Sequence, residues 1–283
     1  TRFENIPFDR AAEIVRKQLL REQRPVIVRQ KMAELLRVYK LEIFRDKLMS
    51  ERERALAKLE EKALKAEQAA DFAAASAAFY TLVKKRPADL DSCFALYRTA
   101  SRLPESDQTR RMIRTAVSRA AADIGRLAAR LDDPMLRSSA LEIMERSGNR
   151  GVVPVLVMRL PVSDRQFQID ILRVLGDLKA VNAAGAVVDF LRQARRNVIA
   201  SSNLPVIQES CAALGRMGSS DSEPWVKDWL SREADYRIQA VLIRGLASFK
   251  DPSLVPVFRQ YLSSPAPDVR LSASAALASQ TNQ

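Results

Sequence analysis

One pattern, written five times between about Asp132 and Ala278, constrains this chain more than any other feature. Each copy opens on a polar, mostly acidic start, at Asp132-Asp133-Pro134, Ser163-Asp164, Asn203-Leu204-Pro205, Asp235-Tyr236 and Pro267-Asp268. An apolar helix with small residues near its end follows, then a short turn and, in most copies, a second apolar helix often opened by Pro. The equivalent apolar position falls at Met144, Leu175, Leu214, Leu246 and Leu277, in steps of 31, 39, 32 and 31 residues. A period of that length marks stacked supersecondary units. First helices carry Leu136/Ala140/Ile143, Phe167/Ile171/Leu175, Ile207/Cys211/Leu214 and Ile238/Leu242/Leu246. Second helices carry Val153/Leu156/Leu160, Ala184/Val187/Leu191, Trp225/Trp229 and Val255/Phe258/Leu262. Such hairpins are apolar on more than one side, so they must stack on neighbours. The longer step is assigned to an insertion at 192–204 containing Arg192, Arg195, Arg196 and a Ser-Ser-Asn turn.

These starts and spacings resemble HEAT-like repeats, of the short kind also found in phycobilin-lyase-like proteins, over roughly half the chain. The resemblance implies an all-α helical-repeat solenoid at 132–283 whose second helices line the concave face. The polar residues expected there are Arg159, Asp189, Arg192, Lys227, Asp228 and Arg259, with Arg195 and Arg196 on the nearby insertion. Their alternating signs suit a protein partner better than a uniform phosphate backbone. Plain solvation is the competing account of any single one.

Upstream, residues 1–88 read as charged helices and 89–131 as connecting or capping helices. Val26–Arg86 contains neither Gly nor Pro, and apolar residues from Ile27 to Ala66 recur at three- and four-residue spacing opposite a Lys/Arg/Glu face. Were 26–67 one helix, it would pack on the side of the array rather than form a two-stranded coiled coil, because the heptad is poor around Glu51, Arg52 and Glu53. Asp71 and Phe72 start a helix holding Ala75, Phe79 and Leu82 and closed by Pro87. That set resembles the second helix of a tetratricopeptide repeat. The preceding helix departs from the family pattern with Lys62, Ala63 and Ala66, which leaves a degenerate unit or an ordinary helical hairpin. Further helices are expected at Asp91–Leu103 and Asp107–Leu131, the second basic through Arg110, Arg111, Arg114, Arg119, Arg126 and Arg130.

Composition agrees with helix throughout: eight Gly, 13 Pro and 6% aromatic residues are few, while 47% hydrophobic content is ample for a core. The formal charge of +12 is concentrated in the first 150 residues, where 31 Lys+Arg face 22 Asp+Glu. That excess makes nucleic-acid binding the alternative function, against which stand the interleaved acids and scarce aromatics for stacking.

Chemistry is mostly excluded. The chain has no histidine, which removes Ser-His and Cys-His nucleophile pairs and His-ligated metal sites, including those of HEAT-like metal hydroxylases. Cys93 and Cys211 lie far apart inside apolar helical patterns and read as core filler. No glycine forms a phosphate-cradling loop. Some HEAT-like DNA glycosylases place Trp and Asp in a groove, and Asp228 does sit between Trp225 and Trp229. Tryptophans at that spacing in an apolar helix are nevertheless expected in the core, and that activity is not carried over. The expectation is a non-enzymatic scaffold or adaptor without cofactor or metal, a structural subunit that holds protein partners. No transmembrane segment is visible. Peripheral membrane association and a cytoplasmic location are compatible with this, a periplasmic one if a signal or anchor preceded Thr1. The last helix, Asp268–Ala278, is expected to turn Ser272 and Ala276 outward and so to contact another chain or further repeats.

Overall fold

The structure is a computed structural model that describes residues 50–196 and 203–281. Expectations that fall on residues 1–49, including most of the stretch 26–67, lie outside the described residues. Every regular element among the described residues is helical. The chain divides into two compact units, 1–58 and 59–283.

Helix α1, Glu51–Gln68, starts with a reciprocal capping box. The Ser50 amide donates to Glu53 Oε2 at 2.8 Å, and the Glu53 amide donates to Ser50 Oγ at 3.2 Å. Lys65 meets Glu61 at 2.7 Å across one turn, and buried Ala63 marks the apolar side. Helix α2, Phe72–Lys85, is capped by Asp71, which accepts from the Ala74 amide at 3.0 Å, and it buries Ala75, Phe79 and Leu82. Arg86, at the end of α2, reaches Glu60 of α1 at 3.5 Å. Helices α3, Leu90–Ala100, and α4, Asp107–Ala120, pack with α2 and also on the first helix of the array. Arg98 of α3 meets Glu67 of α1 at 2.6 Å. The continuous helix expected over Asp107–Leu131 is broken. Asp123 takes the Arg126 amide at 3.0 Å and so starts a new short helix, α5, Ile124–Ala129, followed by a 3-10 turn at Arg130–Asp132.

The array comes next. First helices are α6 (Arg137–Ser147), α8 (Arg165–Asp177), α10 (Leu204–Met217), α12 (Tyr236–Leu246) and α14 (Pro267–Thr281). Second helices are α7 (Val153–Arg159), α9 (Ala184–Arg196), α11 (Glu223–Arg232) and α13 (Val255–Tyr261). The starts behave as capping chemistry predicts: Asp164 accepts from the Phe167 amide at 3.0 Å and Asp235 from the Arg237 amide at 2.8 Å. Pro154, Pro224 and Pro256 sit in the first turns of three second helices, where a missing N–H costs nothing. Pro134, by contrast, lies in a turn ahead of α6, with Asp133 accepting from the Met135 amide at 2.9 Å.

Every hairpin turns at a residue in the left-handed region: Gly148, Lys179, Gly218 and Lys250, with φ of 62°, 49°, 73° and 54°. A 3-10 turn comes after each of them, and the second helix begins five residues later in all four copies, at Val153, Ala184, Glu223 and Val255. First helices stack directly on one another along the array, and each second helix packs on the next first helix. Met144, Leu175, Leu214 and Leu246 are completely buried in that row. Helices come together closely where side chains vanish. A Cβ on Gly215 would lie 2.6 Å from the Phe249 amide nitrogen, and one on Gly176 would lie 3.2 Å from Ala213 Cα. Arg216 crosses above Gly176 and joins α10 to α8, meeting Asp177 at 3.1 Å and Glu209 at 2.6 Å. Cys93 and Cys211 are buried, and desolvation pushes their thiols up to about 11 and about 12, so both are neutral packing groups.

In α14 the phase differs from the expectation. Val269, Ser272, Ala273 and Ala276 face inward and are buried, so Ser272 and Ala276 are packing positions. Ser272 Oγ also accepts from Arg244 at 3.1 Å. The outward residue is Leu271, which is 71% exposed. Val269, Ala273 and Ala276, spaced four and three apart, set the buried stripe.

Candidate partner-binding site

The second helices present the polar residues that the repeat pattern singled out, and three of these, Asp189, Arg192 and Arg195, gather with two tryptophans. Helix α9 continues through Arg196, so Arg192 and Arg195 are helical rather than part of an inserted loop. The signal was present in the sequence: Asp189 and Arg192 are three apart on a helix already carrying Val187 and Leu191, and they pair at 2.9 Å. Continuing the helix sets Arg192 over the Trp225 ring at 5.6 Å and Arg195 over the Trp229 ring at 5.1 Å. The two indoles, 5.7 Å apart and tilted by 53°, share one face of α11.

Their burial differs. Trp229 is fully buried and donates from Nε1 to Glu233 Oε2 at 2.9 Å, while Trp225 is half-buried. The expectation that both are core therefore applies to Trp229 alone. Glu233 is itself held by the amides of Ala234 and Asp235, both at 3.0 Å, so the indole is fixed at the joint to the next repeat. A guanidinium over an indole face gains from the ring's negative quadrupole while its edge N–H groups stay available to an acceptor.

The other expected residues are arranged differently. Arg159 ends α7 and is gripped through both nitrogens by Asp132, which holds the Asp132 carboxyl below the usual carboxylate range. It fastens the array's entrance rather than joining the tryptophan cluster. Lys227 lies 3.6 Å from Glu223 and Asp228 lies 2.6 Å from Arg232, both along α11 itself. Arg259, on α13, is exposed and has no ion-pair partner among the described residues. The Arg196 side chain lies outside the described residues.

Two depressions escaped the sequence reading. One, about 360 Å³, lies on the row of first helices and is rimmed by Arg173, Arg237 and Arg244. Glu209, only 14% exposed, sits at its wall between Arg216 of its own helix and Arg173 of α8, and its pair with Arg173 ties one repeat to the next. The other, about 590 Å³, lies between α4 and the end of α6. Arginines inside apolar first helices were the available signal, yet which of them share a cleft depends on the packing of successive helices.

The family described as HEAT repeats matches residues 223–283, which run from α11 to the end of the chain. No curated protein matches the sequence. Among the described residues, no helix is long and apolar enough to cross a membrane.

Proposed function

We propose that this all-helical chain, whose residues 223–283 match HEAT repeats, works as a non-enzymatic scaffold, a structural subunit that holds a protein partner against its second helices. HEAT repeats commonly mediate protein–protein interaction. The observation that carries this reading is the α9–α11 cluster. Half-buried Trp225 lies under Arg192, which Asp189 pairs with, and Arg195 covers the neighbouring Trp229, an amphipathic anchor with both signs of charge beside it. Trp and Arg at such a place are the residues that dominate protein interfaces. The mixed charge fixes register and partner choice more than raw affinity.

On this reading 132–283 is the binding array, 89–131 caps its start, and 1–88 supplies the charged helices and the tetratricopeptide-like hairpin. The nucleic-acid alternative finds less support. Several arginines of the basic half are engaged with carboxylates: Arg98 with Glu67, Arg110 with Glu105 and Arg130 with Asp91. Cations used in this way have little left to offer a phosphate backbone.

The test is native co-purification followed by size-exclusion chromatography, comparing wild type with the Trp225→Ala/Arg195→Glu double variant. A stoichiometric protein partner that is retained by wild type and lost by the variant is the expected outcome. A wild-type protein that elutes alone, or a partner indifferent to both substitutions, overturns the assignment of this face.

A further inference from the structure

We infer that the groove between α4 and the C-terminal end of α6 is a second docking site, one that takes a short acidic segment of a partner protein with apolar side chains beside its carboxylates. It is separate from the tryptophan cluster and is built differently. Its floor is apolar, with Val117 and Ala121 buried and Ile113 half-buried. Its two walls each carry one exposed arginine, Arg114 from α4 and Arg146 from α6, and no lining residue is acidic.

The state of those two guanidiniums singles out this groove. At the other cleft every arginine is engaged: Arg173 and Arg237 meet carboxylates, and Arg244 donates to Gln208 and Ser272. Arg114 and Arg146 have no ion-pair partner among the described residues. Arg146 lies 5.8 Å from the centre of the Tyr97 ring. Glu142, one turn earlier on α6, accepts the Tyr97 hydroxyl proton at 2.8 Å rather than pairing with Arg146. The groove thus holds two cations on opposite walls of a depression that excludes other charge. A carboxylate entering it receives charge-assisted, fork-shaped donation from either side.

Dimensions restrict the occupant. The helical part of the α4 wall runs from Ile113 to Ala120, about 11 Å at 1.5 Å rise per residue. That length accommodates roughly three residues of extended chain at about 3.3 Å each. One or two apolar side chains can cover Val117 and Ala121 while the flanking carboxylates reach Arg114 and Arg146. A nucleic-acid backbone is a poorer fit, since it brings phosphates at regular intervals and would leave the apolar floor wet.

Fluorescence anisotropy on the full chain tests this, using a fluorescein-labelled peptide of alternating Leu and Glu, its Leu/Gln and Leu/Lys counterparts, and labelled oligo-dT. The Leu/Glu peptide is expected to bind saturably, and the Leu/Gln and Leu/Lys peptides at least about tenfold more weakly, a difference of about 1.4 kcal/mol. Arg114→Glu/Arg146→Glu should abolish the preference, whereas Arg54→Glu/Lys58→Glu, the same charge change on α1, should leave it intact. If the reversal variant fails to fold, Arg114→Gln/Arg146→Gln is read in its place. Absence of Leu/Glu binding, equal binding by the arginine variants, or oligo-dT binding more tightly through the same two arginines would each overturn the assignment. None of these results depends on the α9–α11 face.

Discussion

At Gly215 the array's construction comes down to a missing methyl group. Its Cβ position lies 2.6 Å from the amide nitrogen of Phe249, and backbone cannot step aside as a side-chain tip can. Gly215→Ala should therefore destabilise the protein by about 1–3 kcal/mol, the range for overpacking, in a urea titration. Gly185, in the first turn of α9, has open space around its Cβ position, so Gly185→Ala should be neutral or stabilising by up to about 1 kcal/mol. Equal effects at the two sites would mean that the close approach does not limit packing. Small residues near the ends of first helices were legible in the sequence, as was the burial of Leu214 beside Gly215. Which glycine meets a neighbour's backbone was not, because that depends on the rotational phase at which two helices cross. The same limit applied at Ser272 and Ala276, which small size left free to face either way and packing turned inward.

A carboxylate joint between elements gives α11 a dependence on pH. Glu223 opens the helix and is buried, which raises its carboxyl above the usual range; the charge of Asp251 and a hydrogen bond to it add to this, and Lys227 opposes it. A glutamate raised in the fold contributes stability below the ordinary glutamate range, and that contribution is lost as pH rises through the raised value. Asp251 is lowered, first by the Ser253 amide, so its contribution is present above the ordinary aspartate range and is lost as pH falls through the lowered value. Glu223→Gln keeps a hydrogen-bonding group and removes the buried charge. It should raise the melting temperature at neutral pH, with the difference from wild type closing as pH falls into the carboxylate range. An unchanged melting temperature at neutral pH would show that Lys227 already compensates the charge. Most element starts were legible because caps are local: Asp71, Asp164 and Asp235 lie where their side chains accept the first amides. The break between α4 and α5 was missed because the Ala-rich run from Asp107 to Leu131 reads as continuous helix, with no Pro or Gly before the cap that Asp123 makes.

For the molecule as a whole, stability passes from repeat to repeat through the row of first helices. Leu175 is fully buried in the middle of that row, so Leu175→Asp should cost several kcal/mol, comparable to the roughly 5–15 kcal/mol that hold a typical domain folded. A soluble variant with an unaltered melting curve would contradict this. The repeat pattern made the architecture legible at this scale, since a periodic chain that cannot bury its hairpins singly has few folds open to it. The two clefts were not legible, being made by residues that are distant in sequence. One regularity carries further. The left-handed turn residue and the start of the second helix stay five residues apart in every hairpin, while the spacing between hairpins varies. The eight or so extra residues of the 39-residue step lie past the second turn, lengthening α9 to 13 residues and continuing to Asn203. Length is thus stored at one kind of joint only. The hairpin is therefore a unit of fixed length, and the join after each second helix is where added sequence can be accommodated without recutting the core.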